Sequence, residues 1–127
     1  MKLLLDTNII VMLLVDERRL PPSYLNVLRS GAYDFEVSAI SIWEIAIKHR
    51  KGKLVLGFDL ADLESRLLRL RIGIRSLSAT QAISDPALPD GLKDPFDRMI
   101  VAIAEIESTG FLTTDAKLLD HPLAWRP

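Results

Sequence analysis

The sequence has no cysteine and only two histidines, His49 and His121. The first absence excludes disulfides and thiolate zinc sites, and fits a cytoplasmic protein. The second excludes a site of several histidines within one chain. A metal site would have to rest on carboxylates, donors suited to Mg2+ or Mn2+. No apolar stretch approaches the roughly 18 residues of a membrane span. The amino terminus carries one lysine and a short apolar run closed by an acid at position 6, so no signal peptide is expected. There is no Gly-rich phosphate loop and no G-x-S-x-G elbow. Nor is there an excess of positive charge. Sixteen Lys and Arg against 17 Asp and Glu leave a net charge of −1, so no global basic field draws nucleic acid. Two local clusters remain, Lys48-His49-Arg50-Lys51-Gly52-Lys53 and Arg66, Arg69, Arg71 and Arg75. Each reads first as a solvated helix face or a helix C-terminus, where cations suit the macrodipole.

What is present is apolar and regularly punctuated. The chain has 127 residues, 49% of them hydrophobic, enough for one compact domain over 1–127 with a substantial core. Leu3-Leu4-Leu5 ends in Asp6, which predicts a strand buried on both faces of a parallel sheet. A short helix follows over 7–15, with Thr7 or Asn8 as its cap. Pro21-Pro22-Ser23 opens a helix to about Ser30, and Gly31 ends it. Strand 2 is expected over 34–38, and a helix from Ile40 to Lys51 stopped by Gly52. An amphipathic helix starts at Asp59 or Asp62, and strand 3 spans 72–77. Ser78 caps a short helix over 79–84, and Pro89-Asp90-Gly91 reads as loop. Asp94-Pro95 starts the strongest helix, running to about Ser108 and stopped by Gly110. Strand 4 spans 111–113, and 123–125 reads as a fifth, edge strand. Strands alternating with helices define an α/β sheet with helices on both faces. There is no internal repeat and no linker.

In such sheets, ligands bind beyond the carboxyl ends of the strands. The acids found there each have two readings. Asp6 and Asp115 follow strands and serve equally as helix caps or turn residues. Glu44 stands three residues after Ser41, the spacing of a capping box. Asp94 precedes Pro95 as an N-cap, and Asp97 then falls at N3, where acids suit the dipole. Taken together, Asp6, Glu44, Asp97 and Asp115 crowd one edge. Crowded carboxylates repel, and a divalent cation relieves that repulsion. One or two such ions can activate a water and stabilise the leaving oxygen of a phosphodiester. Thr7, Asn8 and Ser41 stand ready to contact the ion's waters.

The stretches Leu3–Asn8, Ser38–Lys48, Asp94–Ala102 and Leu112–Asp115, in this order and spacing, resemble the PIN domain. More narrowly, they resemble the ribonuclease toxins of VapBC-type toxin–antitoxin pairs. The resemblance implies an α/β/α sandwich around a mostly parallel sheet of about five strands. It also implies a metal-dependent endoribonuclease using Mg2+ or Mn2+. Asp6, Glu44 and Asp97 match the family's core acids and Asp115 the fourth, as metal ligands. Asp94 matches an extra acid, and Thr7 and Ser41 match the polar neighbours. A homodimer and a small antitoxin partner, whose C-terminal arm covers the site, are implied as well. Two positions depart from the pattern. Asn8 stands where many relatives have histidine, and Thr114 where many have arginine or asparagine; both bear on substrate contacts.

The expected reaction is hydrolysis of RNA phosphodiester bonds by metal-activated water, with Lys48 and Arg98 contacting backbone phosphates. The alternative is a catalytically inactive module acting through a partner protein, its acids serving as caps. Phosphoryl transfer through Asp6 as nucleophile ranks last, because the second acid expected two residues on is Asn8.

Overall fold

The computed structural model describes residues 1–86, 88 and 93–127. The loop expected at Pro89-Asp90-Gly91 lies outside the described residues. The elements are β1 (Lys2–Leu5), α1 (Thr7–Val15), α2 (Pro22–Arg29), β2 (Asp34–Ser38) and α3 (Ala39–Arg50). They continue with α4 (Leu63–Arg69), β3 (Gly73–Arg75), α5 (Ala79–Ile83), α6 (Pro95–Glu107) and β4 (Gly110–Leu112).

The strands form one parallel sheet in the order β3-β2-β1-β4. The leucine run therefore lies inside the sheet, as its composition demands. Successive side chains of a strand point to opposite faces. Leu3 and Leu5 accordingly pack with Ile9, Ile10, Val37, Ile45 and Leu67 on one side, and Leu4 with Ile100, Val101, Ile103 and Phe111 on the other. Helices cover both faces, which gives an α/β/α sandwich.

Five expectations need correction. The fifth strand is a single parallel bridge, Phe111 to Ala124, so the described residues form four strands. Strand 3 keeps only three of the expected residues. The cap of α1 is neither Thr7 nor Asn8 but Asp6, whose side chain accepts the Thr7 N–H. The helix before Lys51 begins a turn earlier than Ser41, capped by Ser38, so the Ser41/Glu44 box does not form. Gly110 does not end α6. Ser108 does so in the left-handed region (φ 50°), and Gly110 opens β4, where an added Cβ would lie 3.0 Å from a Leu3 methyl. A capping box does occur, at Ser78 and Gln81 of α5. The strong helix opens as expected, with Asp94 at the N-cap accepting from the N–H groups of Phe96 and Asp97.

Candidate active site at the carboxyl edge of the sheet

Because β1 and β4 run parallel with Leu5 beside Leu112, the next residues of the two strands, Asp6 and Thr113, emerge side by side. Asp6 is buried, 3% exposed. One carboxylate oxygen accepts the Thr7 N–H at 2.8 Å and the other accepts the Thr113 hydroxyl at 2.7 Å. Thr113 Oγ1 in turn accepts the Asp115 N–H at 3.0 Å. One buried hydroxyl therefore sets the positions of two acids. Thr113 figures in the sequence only as part of the fourth motif. The strand register that places it against Asp6 was its signal. From α1, the Thr7 hydroxyl donates to Ser41 Oγ of α3 at 2.9 Å, with both side chains buried. Ser41 thus ties two helices together.

Glu44 is 5% exposed on α3, one turn after its start, and accepts a hydrogen bond from Lys48 four residues on. Asp97, half-buried in the first turn of α6, faces the same space. Its carboxyl is pushed up to about 7, chiefly by loss of water and then by the charges of Asp6, Asp94, Asp115 and Glu44. Asp6 is pushed up to about 6. Burial dominates, the bonds from Thr113 and Thr7 pull it down, and Glu44 and Asp115 push it up again. Lys48 lies on the same rim. Burial acts to lower its pKa, but its bond and charge contact with Glu44, together with Asp94 and Asp97, hold it above the ordinary lysine value.

Asp6, Glu44, Asp97 and Asp115 are thus brought into one electrostatic cluster, with Asp94 at its edge. Lys48 and Arg98, expected to be free for phosphates, are both engaged. Arg98 reaches away to Asp85 at 2.5 Å, and Lys48 holds Glu44. The basic cluster of Arg66, Arg69, Arg71 and Arg75 is dispersed. Arg66 lies over the Phe58 ring, and Arg75 pairs with Glu36 and Glu107.

The donor set is all oxygen, and its charges repel one another with one lysine to balance them. That chemistry fits a hard divalent cation. Among the described residues, however, no three acidic or histidine side chains are drawn together, as placed, in a group that could hold an ion. Glu44 is paired with Lys48 instead.

An α/β/α sandwich with repelling carboxylates at the carboxyl ends of its parallel strands defines an α/β scaffold with an acidic site at one sheet edge. The chain belongs to the PIN domain family, whose model matches residues 3–122. Among the solved structures that share the fold are two toxin–antitoxin proteins. One is VapBC2 from Rickettsia felis bound to a DNA fragment from their promoter, with TM-score 0.67 and 23% identity over 97% of this chain and 95% of that one. The other is a toxin–antitoxin complex from Klebsiella pneumoniae, with TM-score 0.63 and 18% identity over 98% and 96%. No curated protein sequence matches the chain.

Proposed function

We propose that the protein is a Mg2+- or Mn2+-dependent endoribonuclease, a single PIN domain over 1–127 that acts as the toxin of a VapBC-type pair in the cytoplasm. The observation that carries this reading is the uncompensated acid cluster. Two carboxyls lifted to about 6 and about 7 by burial and by one another are destabilising unless a ligand uses them.

In this reading Asp6, Glu44, Asp97 and Asp115 hold the ion. The ion supplies positive charge for activating water and for stabilising the leaving oxygen of the phosphodiester. Thr113 and the Thr7 amide hold the position of Asp6 and favour its charged form. Asp97, raised to about 7, would be the carboxyl most readily protonated near neutral pH and would have to lose that proton to serve as a ligand. Lys48, released from Glu44, turns to a backbone phosphate. The likeness to solved toxin–antitoxin complexes supports an antitoxin as partner; the homodimer is carried over as what the family resemblance implies.

A second reading, an inactive module working through a partner, is favoured by the Lys48–Glu44 bond, which already neutralises one acid. Purified protein incubated with a pool of RNAs separates the two. Cleavage that requires Mn2+ or Mg2+ and disappears in Asp6→Asn supports the nuclease. Absence of cleavage, with a melting temperature indifferent to both ions, supports the module.

A further inference from the structure

Beside the acids lies a cavity of about 290 Å3 lined by Asn8, Val11, Met12, Arg19 and Thr114. We propose that this cavity is a nucleotide subsite of single-stranded RNA, in which Arg19 holds a backbone phosphate and the Asn8 carboxamide reads the edge of a base. This inference deepens the nuclease reading and rests on it.

Placement carries the first part. Asn8 is two residues from Asp6, in the first turn of α1. Thr114 stands between Asp115 and Thr113, whose hydroxyl is bonded to Asp6. The backbone there is pinned from the other side, because the Tyr24 hydroxyl donates to the Thr113 carbonyl at 2.8 Å. A chain whose scissile phosphate lies at the acids therefore sets its neighbouring nucleotide at this cavity.

Composition carries the second part. The lining is an apolar pair, half-buried Val11 and Met12, with an amide, a hydroxyl and a guanidinium around it. A small number of polar groups over an apolar surface is the usual make-up of a site for a planar ligand. Arg19 is exposed and stands in no ion pair among the described residues, although Arg18 and Arg29 beside it are both paired. It acts on Asp16 by charge but without a salt bridge, so its fork of donors stays suited to phosphate. Lys48 and Arg98 are both taken by carboxylates, and Arg19 is the cation among the residues lining this cavity, where it can offset the repulsion between the acids and an RNA backbone. Asn8 is also exposed and makes no side-chain hydrogen bond among the described residues, leaving both its donor and its acceptor for a base edge.

Phosphate and base contacts have different signatures, and the test uses that difference. Full-length protein carrying Asp6→Asn, which suppresses cleavage, is titrated in Mg2+ with a fluorescent single-stranded RNA pool of random sequence. The bound fraction is sequenced and the titration repeated across salt concentrations. Adding Arg19→Gln should weaken all sequences alike and shrink the log–log salt slope by about 0.7, the loss of one single-strand phosphate contact. Adding Asn8→Ala should leave that slope unchanged and erase the preference at one base position, by roughly five- to a hundredfold. Asn8→Gln should restore part of it. Lys53→Gln, at an exposed lysine outside the cavity, controls for net charge.

Unchanged slope and unchanged preference in both variants overturn the proposal, as does failure to bind RNA at all. A uniform loss for Asn8→Ala, unrelieved by Asn8→Gln, also overturns it. Binding with an Asn8-dependent preference in a protein whose parent never cuts RNA leaves the subsite standing and removes the nuclease. Cleavage by the parent with a preference blind to Asn8 does the reverse.

Discussion

Two groups of acids sit in this molecule under opposite conditions. Around β3, Glu36 and Glu107 share Arg75, at 3.1 and 2.5 Å, while Lys2 reaches Glu36 and the Gln81 amide reaches Glu107. Each of these carboxylates is answered by a cation or a donor. At the other side of β1, Asp6, Asp97 and Asp115 face one another and Glu44, and Lys48 is bonded to Glu44 alone. Residue type is alike, but the partners differ, and Asp6 and Glu44 lie deeper than Glu36 and Glu107. The first group is a brace that joins β1, β2, β3, α5 and α6. The second is held together against its own repulsion, by Thr113, the Thr7 amide and the packing of α6. A fold that tolerates such repulsion has kept room for a ligand that relieves it.

The comparison breaks most sharply at Asp6. Its amide, Asp6→Asn, should lower RNA cleavage by roughly a thousandfold or more, the scale of several kcal/mol of lost ion-borne stabilisation. The same change should raise the melting temperature. Bringing Asp6 from its ordinary 3.8 to about 6 corresponds to about 3 kcal/mol of disfavoured ionisation at neutral pH, part of which the neutral amide recovers. A large fall in melting temperature would show that Asp6 is structural.

Next comes Thr113→Val. Removing the hydroxyl strips Asp6 of a donor that favours its charged form, and removes the acceptor for the Asp115 N–H. Cleavage should fall about tenfold near neutral pH, the scale of a hydrogen bond to a charged group. The acidic limb of the pH–rate profile should move upward. An unchanged limb would mean that Thr113 only fills space. Arg75→Ala tests the brace. It should cost about 2 kcal/mol, between the values for exposed and buried pairs, and leave kcat and KM nearly as they were. A loss of activity at unchanged stability would join the two regions functionally.

The strands and helices were legible in the sequence because their signals are local. An unbroken Leu3-Leu4-Leu5 run demands a two-sided sheet, and Asp94-Pro95 is a helix opening that packing did not override. The candidate site was legible as a set of acids but not as a set of bonds. Ser41 and Glu44 have capping-box spacing, yet tertiary contacts moved the helix start to Ser38. That shift freed Ser41 for Thr7 and Glu44 for Lys48. The engagement of Arg98 with Asp85 and the pairing of Thr113 with Asp6 join residues 13 and 107 positions apart, which no local pattern encodes. The shortfall at 123–125 has the same origin. Its composition suits an edge strand, but beside β4 it makes only one bridge.

The smallest effect sharpens the comparison through pH. Asp6 and Asp97 have folded-state pKa values above the unfolded 3.8, so between that value and about 6 and about 7 the folded protein binds more protons than the unfolded chain. Stability contributed by these two carboxyls is then fully present below about 4 and is lost as pH rises through 6 to 7. In EDTA, the melting temperature of the parent should therefore decline by a few degrees between pH 5 and pH 8 relative to Asp97→Asn, whose amide cannot ionise. Added Mn2+ should reverse the decline at pH 8 and do little at pH 5, because protons and cations compete for the same oxygens. Equal stabilisation by Mn2+ at both pH values would place the ion elsewhere on the chain and leave the repulsion at Asp6 and Asp97 without a functional reason.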